Sequence, residues 1–197
     1  MGAIFQSLGR TVLAGVVLLA ILVLAMVLGA GANVGVSHAW WTFFMRWLHV
    51  LSGVMWIGLL WYFNFVQIPS MPKIPDEQKP AVGKVIAPAA LFWFRWAALA
   101  TVVTGLLLAA MMGYLVPALG LQKPFTAIGI GMWLALIMAF NVWFIIWPNQ
   151  KKALGIVTVE AAKKAKAARM AMLTSRFNTM FSIPMLFCMV AQQNGGL

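Results

Sequence analysis

Five apolar stretches of membrane length, set in a chain with only three acidic residues, rule out a water-soluble surface. They run over residues 11–29, 40–66, 86–116, 125–147 and 177–192. Each can cross roughly 30 Å of hydrocarbon as a helix rising about 1.5 Å per residue. The stretches 40–66 and 86–116 exceed that need, so they tilt or extend past the bilayer. The expected fold is an all-α integral membrane protein of five transmembrane helices, forming a single domain over 1–197.

The basic residues orient this bundle. Lys73, Lys79 and Lys84 lie between the second and third stretches. Lys151, Lys152, Lys163, Lys164, Lys166, Arg169 and Arg176 lie between the fourth and fifth, and Arg10 precedes the first. All fall on one side if the amino terminus is cytoplasmic, which leaves Lys123 outside. The positive-inside rule therefore gives N-in, C-out. The net charge of +11 is juxtamembrane, where it meets anionic lipid on the cytoplasmic side, and it does not point to nucleic acid. Ala30-Gly31-Ala32 has the look of a signal cleavage site. The apolar run 12–28 is longer than a signal's apolar region and only one arginine precedes it, so a retained helix is expected. Cys188 is alone, which excludes a disulfide scaffold and leaves a buried, inert thiol.

Between the spans, Pro69, Pro72, Pro75 and Pro80 mark 67–84 as an ordered, non-helical cytoplasmic loop. Thr158 followed by Glu160 and an alanine-rich run predicts a cytoplasmic basic helix over 158–175. It serves either as a solvated extension of the last helix or as a docking surface for a partner subunit.

The stretch 46–69 places an arginine and a histidine inside a membrane-length helix, where ionisable groups are costly and usually face the bundle interior or a functional site. At 100° per residue Arg46, His49, Gly53, Trp56, Leu60, Asn64 and Gln67 share one stripe. A neutral His49 is a natural axial ligand for haem iron, and a buried histidine bonded to another helix is the plainer reading. The only other histidine is His38. Eleven residues along one helix separate the two by about 16 Å, so this chain alone cannot supply bis-histidine ligation. Met170, Met180, Met185 and Met189 offer a thioether partner, and another chain offers an alternative. Arg46 either snorkels outward past Trp40 and Trp41 or pairs with an anion such as a haem propionate or lipid phosphate. Arg95, flanked by aromatics in Phe92-Trp-Phe-Arg-Trp96, has no carboxylate in any span to pair with. Trp56, Trp93, Trp96 and Trp133 lie deeper, where they either pack within the bundle, the plainer reading, or contact a pigment, haem or quinone. Asn64, Asn141, Asn178 and Ser182 form either a polar pocket or ordinary interhelical hydrogen bonds, and Pro184 should kink the last helix. There is no CxxCH for covalent haem, no metal-ligand cluster, no carboxylate pair and no phosphate loop.

Four stretches, His49-Val-Leu-Ser-Gly-Val-Met-Trp-Ile-Gly-Leu-Leu-Trp-Tyr-Phe-Asn64, Phe94-Arg-Trp96, Asn141-Val-Trp-Phe-Ile-Ile-Trp-Pro-Asn-Gln-Lys151 and Ser175-Arg-Phe-Asn-Thr-Met-Phe-Ser-Ile-Pro-Met-Leu-Phe187, resemble the membrane domain of bacterial cytochrome-c-linked urate oxidase. The resemblance implies a short form of that N-terminal domain, lacking further helices and the C-terminal cytochrome c domain. Gln192, Gln193 and Asn194 stand where the family would approach another histidine. Two functions follow as expectations. One is an accessory subunit of a larger membrane redox complex in a bacterial inner (cytoplasmic or intracytoplasmic) membrane. It would hold haem b, a quinone or a lipid beside His49, Arg46, Arg95, Trp56 and Trp96, with His49 as candidate iron ligand. The other is oxidation of urate or a similar small molecule, with electrons passed to a separate cytochrome c.

Overall fold

The computed structural model describes residues 2–32, 34–35 and 37–194, and these are helical with no strand. After a single turn at Gly2–Phe5, the long elements are α1 (Leu8–Ala30), α2 (His38–Lys73), α3 (Lys79–Met111), the short α4 (Leu115–Leu119), α5 (Thr126–Ala153) and α6 (Ala161–Asn194). Four of them, α1, α2, α3 and α5, are long and apolar enough to cross a membrane. The expected fifth span is part of α6, whose apolar run is diluted by Asn178, Ser182, Gln192 and Gln193. The predicted basic helix and last span are one continuous helix, which begins at Ala161 rather than at Thr158.

By its contacts the chain divides into two units, Met1–Phe44 and Met45–Leu197. In the first unit, every residue of α1 stays clear of burial. Gly31 ends α1 in the left-handed conformation (φ 65°), returning its N–H to Met26, a reversal that glycine makes without a Cβ clash. Trp40, Trp41 and Phe44 cluster at the start of α2. Positions 33 and 36 of the connection before them lie outside the described residues.

The second unit contains the site. The proline-rich segment was expected to be non-helical, yet α2 runs on to Lys73 and α3 begins at Lys79. Three prolines are accommodated in the same way. Ile68, Ala87 and Trp147 each precede a proline, and each returns its N–H five residues back, to Phe63, Val82 and Val142. Such a π-turn widens the helix where a proline ring would otherwise press on the carbonyl one turn earlier. Between α2 and α3, Lys79 bonds Asp76. This hydrogen bond, with the ammonium charge, holds the Asp76 carboxyl below its ordinary value.

Trp56, Leu60 and Phe63 of α2, Leu91 and Phe94 of α3, Met138, Val142 and Ile146 of α5 and Met185 of α6 form the main core. Lipid tails are as apolar as these side chains, so close packing and interhelical hydrogen bonds, not exclusion from water, select this arrangement. A second cluster joins Ala109, Tyr114, Ala118, Ile128 and Met132. Gly129 makes it possible: a Cβ there would fall 2.0 Å from the Ala118 carbonyl oxygen, so α4 rests directly on the backbone of α5. Cys188 is buried against α5, where a Cβ on Gly131 would lie 3.1 Å from its own Cβ.

Candidate functional site: a histidine at an apolar cavity

The stripe read from α2 faces the interior but serves two regions. Its first half, Arg46, His49, Gly53 and Trp56, lines a cavity of about 610 Å³. That volume is within the range of roughly 300–1,000 Å³ typical of small-molecule and cofactor sites. α3 contributes Thr101 and Gly105, α5 contributes Met132, and α6 contributes Met185 and Met189. The lining is apolar apart from a few groups, chiefly His49, Arg46, Tyr114, Gln193 and Asn194.

His49 is held in one tautomer. Its Nδ1 lies 2.9 Å from the backbone oxygen of Thr101, with Thr104 Oγ1 at 3.3 Å. A carbonyl oxygen only accepts, so the neutral ring carries its proton on Nδ1 and its lone pair on Nε2. Among the described residues no hydrogen bond engages Nε2. Histidines that ligate metals are oriented in this way, by donating the other ring nitrogen to a carbonyl or carboxylate. The ring rests on a bare patch of α3: a Cβ on Gly105 would lie 2.7 Å from the His49 Cε1.

Arg46 sits three residues before His49 on the same face. Its Nη2 reaches Met112 Sδ at 3.1 Å, and its buried Nε has no partner. Trp56 is fully buried beside the cavity, and its indole N–H is also unpartnered. Of the four methionines considered as second ligands, Met185 and Met189 line the cavity, whereas Met170 and Met180 are 43% and 57% exposed and do not. Met132 joins them. Sequence reasoning missed it, together with Tyr114 and Gly105. The legible signal was Gly105, an isolated glycine in an apolar helix, which marks a close approach.

Arg95 and Trp96 do not line this cavity. Arg95 lies six residues before Thr101, about 9 Å along α3, and Trp96 is largely exposed. The four residues of the expected polar pocket are instead bonded into α5, α6 and α2. Asn141 donates to Asn178 at 2.8 Å, and Asn178 donates to the Met138 carbonyl at 2.9 Å. Asn64 donates to Ser175 at 2.8 Å, and Trp61 donates to Ser182 at 2.9 Å. Gln192 closes the other end of α6: it accepts from the Ile128 N–H at 3.3 Å and donates to the Pro124 carbonyl at 3.2 Å, satisfying the start of α5.

No group of three or more His, Cys, Asp or Glu gathers among the described residues. A bare metal ion bound by such a group therefore has no seat there. A single imidazole suits a metal whose other ligands arrive with it.

Residues 122–195 match the family described as urate oxidase N-terminal, and this part of the chain is urate oxidase N-terminal-like. The match takes in the stretches 141–151 and 175–187 noted in the sequence; 49–64 and 94–96 lie outside it. It thus includes Met132, Met185 and Met189 of the cavity but not His49, Arg46 or Arg95. No curated protein and no solved structure matches the chain.

Proposed function

We propose that this chain is an accessory subunit of a larger membrane redox complex and holds haem b in the cavity beside His49. The observation that carries the reading is the His49 ring, fixed by the Thr101 carbonyl so that an unprotonated, unpartnered Nε2 belongs to an apolar cavity of about 610 Å³. Other features fit the same group. The glycine under the imidazole leaves room for it to stay in place, and Arg46 offers a cation at the edge for a propionate. Met132, Met185 and Met189 supply polarizable walls or a thioether ligand. When bound, haem supplies one-electron chemistry. The chain's own residues bind it, orient His49 and exclude water.

In this reading the protein crosses a bacterial inner (cytoplasmic or intracytoplasmic) membrane five times, N-in and C-out, with α6 completing the bundle. The polar residues of α6 are hydrogen-bonded to α2 and α5, which lowers the cost of placing that helix in lipid. Its basic first half meets anionic headgroups and a partner subunit. An absorption spectrum of the purified protein tests the proposal. A Soret band is expected, lost in His49→Ala and kept in Cys188→Ser. Protein that binds no haem on purification or on reconstitution would overturn it, and co-extraction of a quinone or lipid would reassign the cavity.

The urate oxidase N-terminal match favours a second reading, in which the chain oxidises urate or a similar small molecule and passes electrons to a separate cytochrome c. Three cavity methionines lie within the matched stretch. Urate-dependent reduction of added cytochrome c by the purified protein would establish it, and its absence would leave the subunit reading.

A further inference from the structure

Arg95 has no role in the haem reading, and its surroundings are the least expected in the molecule. It is 9% exposed, inside α3. Its guanidinium carbon lies 3.4 Å from the ring centroid of Trp147 on α5. Lys151, one turn further along α5, brings its ammonium to 5.6 Å from the same ring. Two cations therefore share one indole. The ring quadrupole attracts each, but it carries no net charge to balance them.

Among the described residues no side-chain carboxylate is available. Asp76 and Glu160 are exposed and pair with Lys79 and Lys163, and Glu77 is exposed. Arg95 Nη1 is buried without a partner. So are other groups on adjoining turns. Trp143 Nε1 precedes Trp147 by one turn and Gln150 Oε1 follows it. Asn64 and Gln67, on the turns of α2 next to the Phe63–Phe94 ring contact, each have an unpartnered side-chain oxygen. A buried cation without a counter-ion bears its full desolvation cost. Packing alone gives no reason to bring a second cation to it. The helix ends beyond Arg95 and Trp147 carry Lys73, Lys79, Lys84 and Lys152, a field that draws anions toward this end of the bundle.

We propose that Arg95 and Lys151, converging on Trp147, bind an oxyanion, a carboxylate or phosphate group, taken up from the lysine-rich end. The guanidinium offers a planar fork to such a group while its face stays on the indole. Trp143 adds a donor, and the Gln67 and Gln150 amides donate once rotated. This site is independent of the haem reading: none of its residues lines the His49 cavity.

The test is thermal unfolding of the full chain in nanodiscs, at fixed ionic strength balanced with chloride. In discs of neutral phosphatidylcholine, the probes are inorganic phosphate and benzoate. In a second arm, part of the lipid is replaced by phosphatidylglycerol. The melting temperature should rise by several degrees in at least one arm, because a ligand bound to the folded state alone stabilises it. A rise with the free anions identifies a soluble ligand; a rise only with phosphatidylglycerol identifies a headgroup. Either shift should disappear in Arg95→Gln and shrink in Lys151→Gln, which removes a partly exposed group and folds regardless. Without anion, Arg95→Gln should melt no lower than the unsubstituted protein, since it removes an uncompensated cation. No shift in either arm, or an equal shift in both variants, would overturn the proposal.

Discussion

The two ends of the second unit use the same helix faces for opposite purposes. Along α6, one face carries Ser175, Asn178 and Ser182, then Met185 and Met189. Along α2, one face carries Arg46, His49, Gly53 and Trp56, then Leu60 and Asn64. Where the amide and hydroxyl halves of these faces lie, the helices are locked by side-chain hydrogen bonds and Asn178 and Ser182 are wholly buried. Where the histidine and methionine halves lie, they surround about 610 Å³ of space. At the first end Asn141, Asn178 and Ser182 find partners on neighbouring helices. At the second, the buried Arg46 Nε has no partner, and the hydrogen bonds of His49 are made by Nδ1, not Nε2. The lock fixes the helices so that the other end can remain open, and each part of that division can be broken separately.

The largest effect is expected at Gly129, where α4 and α5 meet backbone to backbone beneath the cavity. A side chain there collides with the Ala118 carbonyl at 2.0 Å, which no rotamer change relieves. Gly129→Val should cost more than the roughly 1–3 kcal/mol of ordinary overpacking and take the cavity with it. Thermal unfolding in detergent, followed by circular dichroism, measures the loss. A variant that melts like the unsubstituted protein would show that α4 does not hold the cavity end together.

Asn178→Leu comes next and strikes the lock alone. It removes the bond from Asn141 and the bond to the Met138 carbonyl. Interhelical hydrogen bonds in membrane proteins average about 0.6 kcal/mol and reach about 1.7, so the expected loss is roughly 1–3 kcal/mol. The His49 end should keep its ligand spectrum. A double-mutant cycle with Asn141→Leu should show coupling, since the two amides are direct partners. Additive losses would mean that they do not act as a unit.

The lock was half legible in the sequence. Asn64, Asn141, Asn178 and Ser182 stand out because polar residues in apolar helices need partners, but composition does not say whether those partners are a ligand or each other. Pairing Asn141 with Asn178 required knowing that α5 and α6 lie side by side. The proline-rich connection misled for a local reason: proline at the first turn of a helix, or after a π-turn, does not end it. The α2 stripe was correctly placed inward by its period. Its division between cavity and lock was not visible, because one helix face continues through both. Arg95 and His49 appeared as one site because both are costly in lipid; which neighbours each helix brings decides that they serve different regions.

The smallest change in stability, and the sharpest test of the open end, is expected from Gly105→Ala. Replacing a helix-interior glycine by alanine gains about 1 kcal/mol of helix propensity. The new methyl would meet His49 Cε1 at 2.7 Å, so the ring must swing away and give up its bond to the Thr101 carbonyl, a loss of roughly 0.5–1.5 kcal/mol. The two terms nearly cancel, and the melting temperature should barely move. The ligand spectrum should not survive, because Nε2 no longer points where the carbonyl had aimed it. A lost or strongly shifted Soret band at unchanged stability would separate the His49 end from the lock as a site built for binding. If the band were intact, His49 would be a packing residue, and the open end would have to be explained without it.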